Sequence, residues 1–179
     1  MTTNSPSTIA VLLLVLLGAP ESARSQSDVT ATLNHIANVY TLVPNITYRT
    51  VSNWEAKLDV IQPRGLTAPN PTLIYYHGGG WTAGTKESAT ISFLPYLQMG
   101  WSVVNVEYRL TDVALAPAAV EDSRCALRWV YKNAKQYNFD LTNIVTTGNS
   151  AGGHLALVTG LLVAIACAIV GAAWEWAGF

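Results

Sequence analysis

No stretch of this 179-residue sequence concentrates positive charge. Charged side chains make up only 12% of it, the formal net charge is -1, and the ten Lys and Arg residues are scattered. A chain without basic runs lacks the electrostatic footprint that a phosphate backbone demands, so nucleic-acid binding is excluded as a function class. Cysteine is almost absent too. Cys125 and Cys167 lie in apolar, helix-like surroundings without a spaced framework, which reads as two small hydrophobes rather than a disulfide. Neither has nearby residues of the type a zinc site needs, and no residue pattern calls for a metal or a cofactor. Internal repeats are missing as well. Half the residues are hydrophobic, enough for one globular domain with an ample core, and the implied partner is a small molecule.

The N-terminus opens with polar "MTTNSPST", continues as the apolar run Ile9 to Ala19, and then offers small residues at Ala23 and Ser25. This predicts a signal peptide over residues 1–25 and a secreted or periplasmic protein, because the run falls short of the roughly 20 residues of a spanning helix. No Lys or Arg precedes Ile9, a departure from the usual positively charged start. Residues 26–45 read as a lead-in, flexible in its polar first part.

Thereafter "ITYRTV" and "AKLDVIQP" predict two strands joined as a hairpin through Ser52 to Glu55. "TLIYYH" and "WSVVNVEYRL" are continuous apolar runs of the kind found in strands buried on both faces, with Glu87 to Gln98 between them as a crossover helix. From Ala119 to Tyr137, apolar residues recur at three- and four-residue steps, and acidic residues precede basic ones. That pattern predicts an amphipathic helix aligned with its own dipole. "NIVTTG" then gives a third buried strand, and "SAGGHLALVTGLL" starts another helix. Strand and helix in alternation predict an α/β fold with a mostly parallel sheet flanked by helices.

Two motifs carry chemistry. Gly148 to Gly152 spell G-x-S-x-G between a predicted strand and a predicted helix, the setting in which Ser150 becomes an exposed nucleophile on a tight turn. An ordinary glycine turn with Ser150 as a helix cap is the bland alternative. The second motif, "HGGGW" from His77 to Trp81, directly follows the strand ending at Tyr76. Backbone N–H groups of Gly79 and Gly80, with that of Ala151, are suited to hold the oxyanion of an acyl-transfer intermediate. His77 reads as the residue that orders this loop through hydrogen bonds, not as a general base. Gly78, Gly148 and Gly152 supply the freedom the two turns need. Of the aromatic residues Tyr75, Tyr76, Trp81 and Tyr108, most read as core, with an aromatic-accepting site as the sharper alternative.

With "VEYRL", "AAVEDSRCALRWV" and "YNFDLTNI", these motifs run in order from Ile46 to Leu162, and over that span the chain resembles the α/β-hydrolases. Its nearest likeness is to carboxylesterases of the hormone-sensitive-lipase and feruloyl-esterase-like type. The resemblance implies the N-terminal part of an α/β-hydrolase fold over residues 46–162, Ser150 as nucleophile, an oxyanion hole of Gly79, Gly80 and Ala151, and Asp122 as a structural residue. It also implies a small-molecule ester as substrate, hydrolysed through an acyl-enzyme without a cofactor. Asn149 stands where relatives commonly carry an acid.

A serine needs a histidine to take its proton and a carboxylate to orient that histidine. After Ser150 the sequence holds only His154, one helical turn on and matching a packing position of the family, and Glu175, which follows rather than precedes it. No triad can be assembled, so this chain is expected to be inactive or nearly so. Residues 163–179 diverge from the family, and Leu155 to Trp174 carry no charge. A truncated or frameshifted gene model is the first expectation for this tail, and a transmembrane segment over 155–174 is the second. If later strands are missing, residues 143–147 are left as an apolar, association-prone edge. An amide or peptide hydrolase of the same fold and a non-catalytic membrane-tethered protein are the alternative functions.

Overall fold

The computed structural model describes residues 21–161. The residues of the predicted signal run before Glu21, together with Cys167, Glu175, the divergent tail and most of the 155–174 segment, lie outside them. Among the described residues no helix is long and apolar enough to cross a membrane.

The first element is a helix, α1 (Glu21–Val39), where the sequence reading has a flexible polar stretch. Its Ser, Thr and Asn content suggested irregular chain, yet the segment contains neither Gly nor Pro, and the Asn38 side chain donates to the Asn34 carbonyl at 2.8 Å. The described residues up to Asn38 belong to one compact unit and those from Val39 to another.

The second unit is built on a five-stranded sheet. Strands β1 (Tyr40–Val51) and β2 (Trp54–Pro63) form the expected antiparallel hairpin, turned at Ser52 and Asn53, which both take positive φ. β1 begins earlier than its apolar pattern suggests, because Pro44 and Asn45 are absorbed as a bulge. The register slips between Val43 and Ile46, Asn45 takes φ 57°, and its N–H donates to Asp59 Oδ1 at 2.8 Å. An outer strand tolerates such a proline. β3 (Asn70–Tyr76) and β4 (Ser102–Val106) follow, linked through a 3-10 helix (Lys86–Phe93) and α2 (Leu94–Gln98) in place of one crossover helix. Pro95 sits in the first turn of α2, where its missing N–H has no helical partner to lose.

The sheet order is β1-β2-β4-β3-β5, with β5 spanning Phe139–Gly148. β3 pairs in parallel with β4 and β5, while β2 pairs antiparallel with both β1 and β4. The expectation of a mostly parallel sheet is therefore corrected to a mixed sheet. Periodicity shows that β2 is a strand but carries no signal of the direction in which β4 will meet it. β3 and β4 are buried along nearly their whole length, as their continuous apolar runs require.

Helix α3 (Ala118–Tyr137) lays Ala126, Leu127, Val130 and Ala134 into the core and ends at Asn138 in the left-handed conformation. β5 stands last in the sheet order, and helix α4, residues 151–161, follows it. Among the described residues no strand pairs with the outer side of β5, and Leu141 and Val145 are exposed there.

One buried ion cluster fastens α3 to the sheet side. Asp122, fully buried, accepts from the Arg109 backbone N–H at 3.0 Å, Arg109 Nε at 2.8 Å and Nη2 at 2.9 Å, and Arg49 Nη1 at 2.8 Å. Its place early in α3 also suits the positive end of that helix. Asp122 is thus a structural residue, as the family resemblance implies. Deleting one member of a buried pair leaves the other charge uncompensated. Asp122→Ala should lower stability by about 3–5 kcal/mol in urea unfolding, whereas Glu121→Ala, at the half-exposed rim of the cluster, should leave the midpoint nearly unchanged.

Candidate active site

Ser150 sits at the junction of β5 and α4 with φ 53°, a left-handed conformation that costs an L-residue roughly 1–2 kcal/mol. The turn exposes its side chain and places it at the positive end of α4, whose first N–H group, that of Ala151, has no backbone acceptor among the described residues. A Cβ on Gly148 or Gly152 would overlap the Tyr76 carbonyl oxygen, so the chain can cross the end of β3 only without side chains there.

The loop after β3 lies against this turn. A Cβ on Gly78 would come within 2.8 Å of the Asn149 carbonyl oxygen. Gly79 takes φ 126°, and its carbonyl accepts from the N–H groups of Thr82 and Ala83 at 3.1 and 3.0 Å, so the loop curls on itself. Gly80 and Trp81 continue with φ 60° and 62°. Gly152 donates to Asn149 and His154 to Ser150, at 2.9 and 3.2 Å. By contrast, the N–H groups of Gly79, Gly80 and Ala151 have no backbone acceptor among the described residues. Unpaired donors beside an exposed hydroxyl are what an anion-stabilising site requires.

His77 is 1% exposed and held on every side. Its Nδ1 lies 2.7 Å from the Gly78 carbonyl oxygen and its Nε2 3.1 Å from Glu107 Oε1. The ring stacks on Tyr108 at 4.3 Å, and the Tyr108 hydroxyl donates to the His77 carbonyl at 2.8 Å. Burial pushes the Tyr108 phenol up to about 12, which keeps it a donor across the neutral range. These contacts tie the His77 ring to the Gly78 carbonyl and to Glu107 at the start of the glycine loop.

His154 departs from the packing role read from the sequence. It is exposed, and its ring meets the Trp81 indole edge-on at 5.4 Å instead of entering the core. No side chain among the described residues hydrogen-bonds Ser150 Oγ. Trp81, Gly80 and His154, with Ala116, Pro117 and Val120, line a cavity of about 300 Å3 beside the serine turn. Tyr75, Tyr76 and Tyr108 are core residues, which leaves Trp81 as the aromatic residue of that group that faces a cavity.

Two site-supporting residues escaped the sequence reading, Glu107 and Lys86. Glu107 stood inside a run taken as strand, and an acid in a buried apolar run was the available signal. Among the described residues no group of three or more His, Cys, Asp or Glu side chains is placed to hold a metal ion.

With this geometry in view, the comparisons with known proteins fall in one direction. The family model described as BD-FAE matches residues 58–167. The carboxylesterase NlhH of Mycobacterium tuberculosis is 38% identical over 89 residues, covering 49% of this chain and 28% of that protein. An AB hydrolase superfamily protein of Schizosaccharomyces pombe is 36% identical over 104 residues, covering 55% and 30%. The chain thus spans less than a third of the length of either relative. Among solved structures, a bacterial heroin esterase superposes with a TM-score of 0.60 at 30% identity, covering 76% of this chain and 44% of that one. The esterase Est2 of Thermogutta terrifontis gives 0.59 at 28% identity, covering 63% and 41%.

The strain at Ser150 and the crossing at Gly152 are separately measurable. Ser150→Gly should raise stability by about 1 kcal/mol, because glycine takes positive φ without the Cβ clash. Gly152→Ala should lower it by about 1–3 kcal/mol through overpacking against Tyr76, and Gly153→Ala, whose Cβ would come no nearer than 3.2 Å to Gly148 O, should cost less. Equal denaturation midpoints for the two alanine variants would contradict the crossing.

Proposed function

The chain belongs to the BD-FAE family, and from that premise we propose that residues 58–161 carry the nucleophile and oxyanion parts of a serine carboxylic ester hydrolase. Ser150 is the nucleophile. Its Oγ attacks the ester carbonyl carbon as its proton passes to solvent water, the carbonyl π pair moves onto oxygen, and the Gly79, Gly80 and Ala151 N–H groups hold that oxyanion. Collapse breaks the bond to the alcohol oxygen, which departs with a proton from water and leaves an acyl-serine; a second water then cleaves this to the carboxylic acid and the free serine hydroxyl. The observation that carries this reading is the left-handed Ser150 at the start of α4, set against a glycine loop with unpaired donors. The apolar cavity at Trp81 suits an uncharged group of a small ester.

What the described residues do not provide is a group to take the serine proton. His77 is locked between Glu107 and Gly78, and His154 lies against Trp81. Catalysis by the chain alone is therefore weak. Enzymes stripped of triad members keep roughly 10³ to 10⁴-fold acceleration over water from the oxyanion hole and binding.

Two measurements test this. A fluorophosphonate probe should add covalently and slowly at Ser150, located by peptide mass mapping, and Ser150→Ala should abolish the adduct. A parent chain whose adduct maps to another residue, or an alanine variant that labels at the parent rate, removes Ser150 as the nucleophile. Anilide substrates run in parallel decide between ester and amide cleavage. Action outside the cytoplasm is part of the proposal, resting on the apolar run before Ala23 and Ser25. N-terminal sequencing of material exported from an expressing cell should read from Gln26, and retention of Met1 would oppose export by cleavage.

A further inference from the structure

One carboxylate closes both ends of the glycine loop. Glu107 Oε1 lies 3.1 Å from His77 Nε2, at the residue that opens the loop, and Glu107 Oε2 accepts from the Lys86 backbone N–H at 2.8 Å, at the residue that ends it. Everything between, from Gly78 to Thr85, includes the positive-φ residues Gly79, Gly80, Trp81 and Gly84. The carboxylate is itself fixed. The Glu107 N–H donates to the Lys57 carbonyl at 2.9 Å, and its own carbonyl accepts from the Tyr48 hydroxyl at 2.7 Å. Lys86 is anchored a second time, for its Nζ reaches Asp59 Oδ2 on β2 at 3.0 Å and its carbonyl accepts from the Asn105 side chain at 2.7 Å.

We propose that Glu107 is a positioning residue, a clamp joining His77 to Lys86 so that the Gly79 and Gly80 amides keep their aim over Ser150. This rests on the oxyanion reading of those amides. The physical reason is the loop's conformational freedom. Glycine-rich chain has many accessible states, and a hole assembled from backbone donors stabilises charge only when the donors are held before the charge appears. Tying the first and last residues to one point restricts the intervening chain as a short closed loop. Glu107 touches no reacting atom, so it acts through His77 and Lys86.

Glu107→Ala and Glu107→Gln separate this role from general support. The glutamine side chain keeps an oxygen for the Lys86 amide and offers its NH2 to His77 Nε2, so it preserves the clamp without the charge. Two readouts apply to the full chain. The first is amide exchange at Ala83 and Thr111, whose N–H groups bond to the Gly79 and Trp81 carbonyls of the loop. Glu107→Ala should speed it about tenfold, as loss of one hydrogen bond's protection does, while α3 amides exchange as before and Glu107→Gln stays near the parent. The second is the rate of fluorophosphonate addition at Ser150 against probe concentration. Glu107→Ala should lower the saturating rate about tenfold and leave the half-saturating concentration unchanged, a misplacement effect, with rescue by Glu107→Gln.

Parent-like exchange at both amides in Glu107→Ala overturns the clamp. So does faster exchange with an unchanged saturating rate, because the loop would then be loosened without consequence for Ser150. A parent chain that never labels at Ser150 removes the ester-hydrolase reading instead, and the exchange data alone then decide whether Glu107 holds the loop.

Discussion

The Tyr76 carbonyl oxygen occupies the space in which a side chain on Gly148 or Gly152 would have to lie. That contact, between the last residue of β3 and the two glycines flanking the serine turn, sets how near the two loops of the site can come. Because the approach is of backbone on backbone, it fixes positions more tightly than side-chain packing could. The serine turn and the glycine loop leave neighbouring parallel strands, β5 and β3, at the same end of the sheet. Crevices at the carboxyl ends of parallel strands are where α/β sheets bind ligands. Pairing Tyr76 with Gly148 in register delivers both loops to that crevice at one level.

Such closeness is bought with strain. Ser150 and Trp81 both hold positive φ without being glycine, at roughly 1–2 kcal/mol each, and strained backbone persists only where the surroundings over-determine it. Here they do. Tyr108 stacks on His77 and bonds its carbonyl, Thr111 N–H takes the Trp81 carbonyl at 2.9 Å, and Arg109 between them is locked into Asp122. Tyr108 and Thr111 thus brace the glycine loop from behind, and Arg109 between them ties their stretch to α3. That stretch leaves the sheet at Glu107, which explains why an apolar run continuing to Leu110 yields a strand that stops at Val106.

The pattern of this chain declares its elements better than their assembly. The β1–β2 hairpin, the buried β3 and β4 and the amphipathic α3 were all legible, because each depends on local periodicity. The antiparallel pairing of β2 with β4 was not, since it joins segments some forty residues apart and nothing in either segment encodes direction. α1 was missed for another reason: polar composition resembles loop when no apolar stripe marks a face. At the site, glycine spacing marked where the turn and the loop would lie. The exposure of His154 was hidden, since its spacing from Ser150 fixes its place on α4 but not what packs over it.

The geometry also separates two parts of serine chemistry that are often treated as one. Holding an oxyanion needs donors fixed in advance, and His77, Glu107, Tyr108 and Asp122, whose contacts surround the glycine loop and the stretch behind it, all lie within the matched family segment. Moving a proton needs a base with a free nitrogen facing the hydroxyl. Neither histidine of this unit meets that need, and for opposite reasons: His77 is too well held, while His154 is free but turned to Trp81. The strained turn is set by the glycine crossing at Tyr76, and its cost is offset by contacts of the sheet and its loops rather than by a base beside the serine.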